Sequence, residues 1–356
     1  MMLGAGCGSS GTDGTTATSR EGAAGNPTSV YPVVTDQWPA LYPDNQGSGQ
    51  LFACDPIGAA PCTRIPAAGN QVALVAVVGT RVMVGSNDGS VHDCPGRRDV
   101  DAGGNCRTPI APVDSVRAMA SPPDGYLVLG RNMHLKRCVV REGRGPVCTE
   151  LATGVGAPVS VSGDTVYVVG GARGNEIRSC SLSDASKGCE TVVGTVPPAN
   201  AGFLAVTGIA PLNEGLVVTS RDEGGNPLVH ACRASAGCVK IQGLGDDAHS
   251  ALSATASGGA AYVGGRAGDG YIEGPGYVAR CSLDACTRLP LESDGREPWL
   301  EGGIITALAG AGTGFIAGGV AEPVVWACTA GGECSRPGPI TGAGNNVGIG
   351  QLASGA

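Results

Sequence analysis

Fifteen cysteines are the first residues in this 356-residue chain whose type and spacing imply chemistry. Fourteen fall into seven close pairs: Cys54/Cys62, Cys94/Cys106, Cys138/Cys148, Cys180/Cys189, Cys232/Cys238, Cys281/Cys286 and Cys328/Cys334. The pairs enclose 7, 11, 9, 8, 5, 4 and 5 residues. Zinc favours a pair spaced by two to four residues with a second such pair at hand. These variable gaps instead suit hairpin turns of different length, where cross-strand Cα atoms about 4.5–5.5 Å apart are within reach of a disulfide. Unbridged thiols in a core are the remaining alternative. Loop entropy gives each short bridge roughly 2–3 kcal/mol, and a full set predicts an oxidising compartment, periplasmic or extracellular.

The pairs also mark a period. Their first members recur at separations of 40, 44, 42, 52, 49 and 47 residues, the range of a repeat architecture. Each unit opens with an apolar alternating stretch and a turn. A second strand follows, ending in Gly, then a polar loop. A third strand ends at the first Cys, and a short turn leads through the second Cys into a fourth. Arg81-Val-Met-Val-Gly-Ser-Asn-Asp-Gly-Ser-Val-His-Asp-Cys94 and Thr165-Val-Tyr-Val-Val-Gly-Gly171 show the pattern. Four strands per 40–50 residues is a β-propeller blade. Six units are complete, near 71–110, 112–154, 158–194, 203–245, 249–291 and 304–340. A seventh reads as split, with 346–355 as its first strand and roughly 30–66 as the other three; joining both chain ends would remove an open edge. The fold class is therefore all-β, a seven-bladed propeller over 30–356 with one disulfide per blade. A six-bladed ring with a stapled N-terminal hairpin is the alternative.

Composition agrees. The 61 Gly and 24 Pro are far above ordinary usage, aromatics are 4% and charged residues 15%, while the hydrophobic share of 42% sets the chain apart from disordered ones. The net charge of −8 and the absence of a basic cluster argue against a nucleic-acid surface. The longest apolar run, Val72 to Val78, is far short of a spanning helix. Residues 1–29 form a separate segment, Ser/Gly/Thr-rich like a flexible tether.

Cys7, the odd cysteine, sits in Leu3-Gly-Ala-Gly-Cys-Gly-Ser-Ser10. This resembles a bacterial lipoprotein processing site, which implies cleavage before Cys7, a lipid on its sulfur and a membrane association through that lipid only. The chain would then belong to a bacterial cell envelope, anchored at the outer membrane or extracellular. Its strong preference for Arg over Lys is consistent with a GC-rich gene. The Gly-Ser-Asn-Asp-Gly segment after Val82-Met-Val84 resembles quinoprotein-type propeller repeats, and the Gly-Gly doublets at 170–171, 264–265 and 318–319 resemble kelch repeats. These resemblances extend to architecture and carry over no catalytic residue.

Loops from second to third strands should share one face with loops between blades, opposite the Cys-bracketed turns. Arg131, Arg173, Arg221 and Arg266 fall at the start of four second-to-third loops, with Asp222 and Asp269 close behind. Trp299 lies in the longest inter-blade loop, and Asp246, Asp247 and His249 in the loop before it. Together they suggest an Arg-lined mouth for an anionic, sugar or peptide ligand, with Trp299 as an anchor; a polar rim that binds nothing would look similar. His92, His134 and His230 fall on third strands of different blades, where they should be solvated and too divergent for a metal. Charges after the second Cys, such as Arg64, Glu150, Lys240, Arg288 and Arg336, read as guards of an outer edge. Asn87-Asp88-Gly89 resembles part of a calcium loop without its alternating carboxylates. No phosphate loop, His-Glu-x-x-His or Gly-x-Ser-x-Gly motif is present, and no metal or cofactor is expected. The function expected from this is a non-enzymatic propeller that binds a protein or glycan partner or scaffolds an assembly. Two alternatives stand beside it: a propeller-type hydrolase or lyase with carboxylates or His at the central mouth, and a structural subunit of a surface coat.

Overall fold

In a computed structural model, the chain forms seven β-sheets in a closed ring. The structure describes residues 29–35, 49–55, 61–65, 72–97, 99, 105–107, 109–141, 145–171, 174–196, 206–221, 226–234, 236–245, 247–268, 275–290, 304–320, 325–335, 340 and 348–355. Cys7, Arg173, Asp222, Asp246, Asp269, Trp299 and Arg336 lie outside them.

Within each blade the strands run in order from the ring's axis outward, every neighbour antiparallel. Blade 5 is representative: Val206–Leu212 is innermost, followed by Gly215–Arg221, Pro227–Arg233 and Gly237–Lys240. Tight turns join inner to second strands. Gly79, Gly163, Gly258 and Gly312 open four of them at φ of 58°, 56°, 55° and 56°. That left-handed conformation suits a two-residue hairpin and is strained for any residue with a Cβ.

Blade 1 draws on both ends of the sequence. Its innermost strand is Gly348–Gly355, and Ser29–Thr35, Gly49–Ala53 and Thr63–Arg64 follow outward. Register runs from Ser29 opposite Gly355 to Thr35 opposite Gly348. Blade 2 departs from the four-strand pattern. Among the described residues it has Val72–Val78, Arg81–Ser86 and Val91–Pro95 but no outer strand; Ile110 exchanges two backbone hydrogen bonds with Val91 (2.7 and 3.1 Å). An ion triad flanks that bridge: the buried Asp93 carboxylate is paired by the half-buried Arg81 and, at 3.4 Å, by the exposed Arg107.

All seven expected cysteine pairs are bonded, with Cα separations of 4.0–4.4 Å. In blades 3 to 7 the partners face each other across the third and outer strands. Cys138 stands opposite Cys148, Cys180 opposite Cys189, Cys232 opposite Cys238, Cys281 opposite Cys286 and Cys328 opposite Cys334. Each bridge thus fastens the outermost strand, the one with fewest neighbours. Two of the bracketed segments differ from the plain turn expected of them. In blade 4 a single 3-10 turn, Ala185–Lys187, fills the bracket, and Cys189 beyond it is only half-buried while Cys180 is buried. In blade 6 the bracket also reaches its neighbour. Cys286 is buried, and its amide donates to the Gln242 carbonyl of blade 5 (2.9 Å). The Cys281–Cys286 disulfide therefore holds a contact between blades as well as an edge within one. Seven disulfides fit an extracellular or secreted protein. Among the described residues no helix is long and apolar enough to cross a membrane.

The core is divided among the blade interfaces. The described buried apolar residues form seven clusters, each shared by two adjacent blades. The cluster holding Val30, Phe52 and Ile349 of blade 1 with Ile316 and Val325 of blade 7 closes the circle. Glycines on second strands are sockets in this packing. A Cβ at Gly264 would stand 2.5 Å from Ile305 of blade 7, and one at Gly318 would stand 2.7 Å from Ile349 of blade 1. Gly264 begins one doublet and Gly318 another, so interface packing accounts for those two positions. Gly318→Val should therefore destabilise the protein by about 1–3 kcal/mol through overpacking. Adding Ile349→Ala should recover part of that loss, because the two side chains compete for one space. Denaturant midpoints of both single variants and the double variant measure the coupling; strict additivity would refute the socket.

Candidate binding site at the channel mouth

The seven inner strands surround a central cavity of about 740 Å³. Its shape depends on a feature common to all seven. Within its first five residues, each inner strand slips register against its second strand by a bulge. A bulge inserts a residue that re-aims its side chain away from the ordinary alternation. The extra residues Arg117, Pro158, Thr207, Leu252 and Thr306 all line the cavity. They sit where inner strands enter from the inter-blade loops, which is the face the second-to-third loops also occupy.

Hydroxyls near these positions tie the ring together. Thr207 Oγ1 donates to the Ala251 carbonyl of blade 6 (2.8 Å), and Thr306 Oγ1 to the Ile349 carbonyl of blade 1 (2.6 Å). Ser354 Oγ donates to the Gly310 carbonyl (2.7 Å), and Ser121 Oγ accepts from the Val77 amide (2.8 Å). The wall between is mixed, with small apolar residues such as Ala118, Val159, Ala254 and Leu308 beside the polar Asn87, Ser160, Ser253 and Thr255. Arg117 is the one charged side chain among the described lining residues.

The three described arginines singled out from the sequence, Arg131, Arg221 and Arg266, do not line this cavity. Arg131 is exposed just beyond the second strand of blade 3, its amide bonded to the Ser115 carbonyl (2.9 Å). Arg221 ends its second strand, half-buried opposite Pro227. Arg266 lies inside the second strand Ala260–Ala267 rather than in a loop, and is 7% exposed. Only Arg131 of the three presents a solvent-facing cation on the rim. Arg117 escapes a reading of the sequence because an inner strand is expected to alternate, and nothing in simple alternation marks a bulge. The signal available is alignment of the repeats: Val116-Arg117, Val206-Thr207 and Ile305-Thr306 occupy one repeat position.

Asp247 has a structural partner. Both its oxygens meet the Arg288 guanidinium (2.8 and 2.9 Å), which holds its carboxyl below the usual range. Arg288 also lies 4.7 Å over the Tyr277 ring, and the Tyr277 hydroxyl donates to the Ser250 carbonyl (2.8 Å). Burial raises the Tyr277 phenol well above its ordinary value. Arg288 on the outer strand thus anchors the inter-blade loop instead of merely guarding an edge.

One histidine also corrects an expectation. His92 and His134 are partly exposed, but His230 is buried at 3%, with its Nδ1 3.4 Å from Ser220 Oγ. Third strands are covered on both faces by neighbouring blades, so a polar residue there need not meet water. Burial, and then the charge of Lys240, lower the His230 pKa to about 4. An unfolded histidine titrates near 6.5. Between these values the unfolded chain binds a proton that the folded one does not, so stability rises with pH from about 4 to 6.5 and is level above. The contribution is about 3 kcal/mol lost on acidification across that window. His230→Gln should flatten this part of the stability profile; equal losses in both proteins between pH 7 and pH 4 would refute it. Among the described residues no three His, Cys, Asp or Glu side chains cluster as metal ligands.

No family model matches the sequence, and no curated protein matches it either. Solved structures do share its shape. The computationally designed Ika8 protein is similar over 94% of this chain and 95% of its own, with a TM-score of 0.51 and 12% identity. The WD40 beta propeller domain of Doa1 is similar over 79% of this chain and 85% of its own, with a TM-score of 0.52 and 10% identity. At such identities the likeness is one of fold alone.

Proposed function

We propose that this chain is a non-enzymatic binding propeller of the bacterial cell envelope, which presents its channel mouth to a protein or glycan partner. The observation that carries the reading is the character of the axis. A propeller hydrolase or lyase would place carboxylates or histidines about 5–10 Å apart around the central mouth. Here the described lining is mostly Ala, Val, Leu, Ser and Thr, with Asn87 and one arginine and no described carboxylate or histidine, a surface suited to recognition more than to acid–base chemistry. The envelope assignment draws support from the seven disulfides and from the lipoprotein-like segment around Cys7. Arg131 on the rim, and Trp299 in the longest inter-blade loop, are the residues we assign to partner contact.

The test is a glycan array together with capture from envelope extracts, using residues 30–356. Arg131→Glu on the mouth face and Arg233→Glu on the disulfide face form a matched pair. Loss of a captured partner in the first and retention in the second is the expected result. Turnover of a glycoside, polyuronide or lactone that is abolished by a mouth-face substitution would replace this reading with the enzymatic one.

A further inference from the structure

We infer that the partner of the mouth face is a protein, which takes Met133 of blade 3 as an apolar anchor and sets a carboxylate of its own against Arg131. This rests on the mouth being the binding face and names what binds there. The strands Gly125–Gly130 and His134–Val139 are joined by three residues, Arg131-Asn132-Met133, all of them exposed. In a three-residue hairpin loop the last residue takes the left-handed conformation, a place suited to glycine. Met133 holds it at φ 62° and is the one described residue other than glycine with a positive φ. A Cβ makes that conformation unfavourable. Burial does not offset the strain in full, because Met133 is 45% exposed. Strain kept at an exposed side chain points to a use for that side chain.

Position singles out the same residue. Val147 and Val239, the other large apolar residues exposed among those described, stand beside Cys148 and Cys238 on the disulfide face. Met133 is on the mouth face, and its loop is held before any partner arrives. The Arg131 amide donates to the Ser115 carbonyl (2.9 Å), the Met133 amide to the Gly130 carbonyl (3.1 Å) and the Val155 amide to the Met133 carbonyl (3.3 Å). The Asn132 amide donates to Asp114 Oδ1 (3.4 Å), and Asn132 Oδ1 accepts from the His134 amide (3.3 Å). A loop ordered in advance loses little freedom on binding. Glu150, the acid next to this tip, is paired with His134 Nδ1 at 2.6 Å, so the exposed Arg131 offers its charge to an acid of the partner. A thioether has neither the flat ring nor the hydrogen-bond donors that hold a sugar. Met and Arg are instead enriched where proteins meet, and Met adapts to irregular apolar pockets.

Two measurements on the full chain test this. Met133→Gly should raise the melting temperature, because glycine relieves the strain; a fall would make Met133 a packing residue and overturn the inference. The binding probe is a random peptide library displayed on phage, its enriched sequences remade as synthetic peptides and titrated by calorimetry. Those peptides should combine Asp or Glu with Leu, Phe or Trp. Their affinity should fall about tenfold or more in Met133→Gly and in Arg131→Glu, the loss expected of a hot-spot side chain. It should stay unchanged in Arg233→Glu on the disulfide face. Peptides that bind Met133→Gly as tightly as the unaltered protein, or a library that yields no enriched sequence, would also overturn the inference. If the peptides fail while a glycan or other captured partner depends on Arg131, the protein anchor alone is rejected; failure of both would reject the mouth as a binding face.

Discussion

A chain lacking residues 348–356 should lose its cooperative fold. That segment is the innermost strand of blade 1, paired residue by residue with Ser29–Thr35. It buries Ile349 completely and Leu352 and Ala353 almost so, in the clusters that join blade 1 to blades 7 and 2. Losing two large buried aliphatic side chains alone costs about 4–10 kcal/mol by the usual range for such truncations. The inter-blade bonds from Thr306 and Ser354 go as well. Blade 7 would then expose the face that Ile349 covers, and the ring would present an open edge. Total stabilities of about 5–15 kcal/mol leave little after such a loss. The expected outcome is a poorly soluble or molten chain, and recovery of a sharp thermal transition when a synthetic peptide of residues 341–356 is added. A truncated protein that melts within a few degrees of the intact one would show that the pairing contributes little.

Complete reduction should have a comparable effect. The bridges close loops with sequence separations from 5 to 12, and loop entropy assigns each about 2–3 kcal/mol. Even if only half of that is realised over seven bridges, the sum approaches the whole stability of an ordinary domain. Most of the sulfur atoms belong to buried residues, so reduction must accompany opening of a blade edge. Cys189, half-buried at the start of its outer strand, is where reductant should enter blade 4. The reduced and alkylated protein should lose its thermal transition, read by circular dichroism. Among single bridges, removing Cys94–Cys106 as a Ser pair should cost most, about 3 kcal/mol. It spans the longest separation and lies in the blade whose described residues include no outer strand. A fully reduced chain that melts as the oxidised one does would remove the disulfides from the account of stability.

The architecture was legible because one feature repeated. The cysteine pairs report a turn at a fixed place in every blade, and strand count followed from the length between them. What the spacing hid was local. Cys94 and Cys106 enclose the longest gap of the seven, yet nothing in the residues 95–110 announces that Ile110 pairs with Val91 as an isolated bridge. The gap before Cys189 does not announce a 3-10 turn, nor does the short gap before Cys286 announce a bond to the preceding blade. Alternation assigns a polar residue such as His230 to an open side, and the Gly-Gly before Arg266 reads as the end of its strand. In this ring the sheets are covered on both faces, so Ala260–Ala267 is buried along its whole length. Arg117 stays hidden for a related reason. A bulge changes side-chain direction through register, and register is a property of two strands, not of one sequence segment.

The closed ring of stapled blades can be tested most directly by mapping the disulfides of the unreduced protein by peptide mass spectrometry. The account predicts seven linked peptides, each joining cysteines of one blade, Cys54 to Cys62 through Cys328 to Cys334, with no thiol among those fourteen open to alkylation. Linkages between cysteines of different blades, or open thiols within the fourteen, would contradict it.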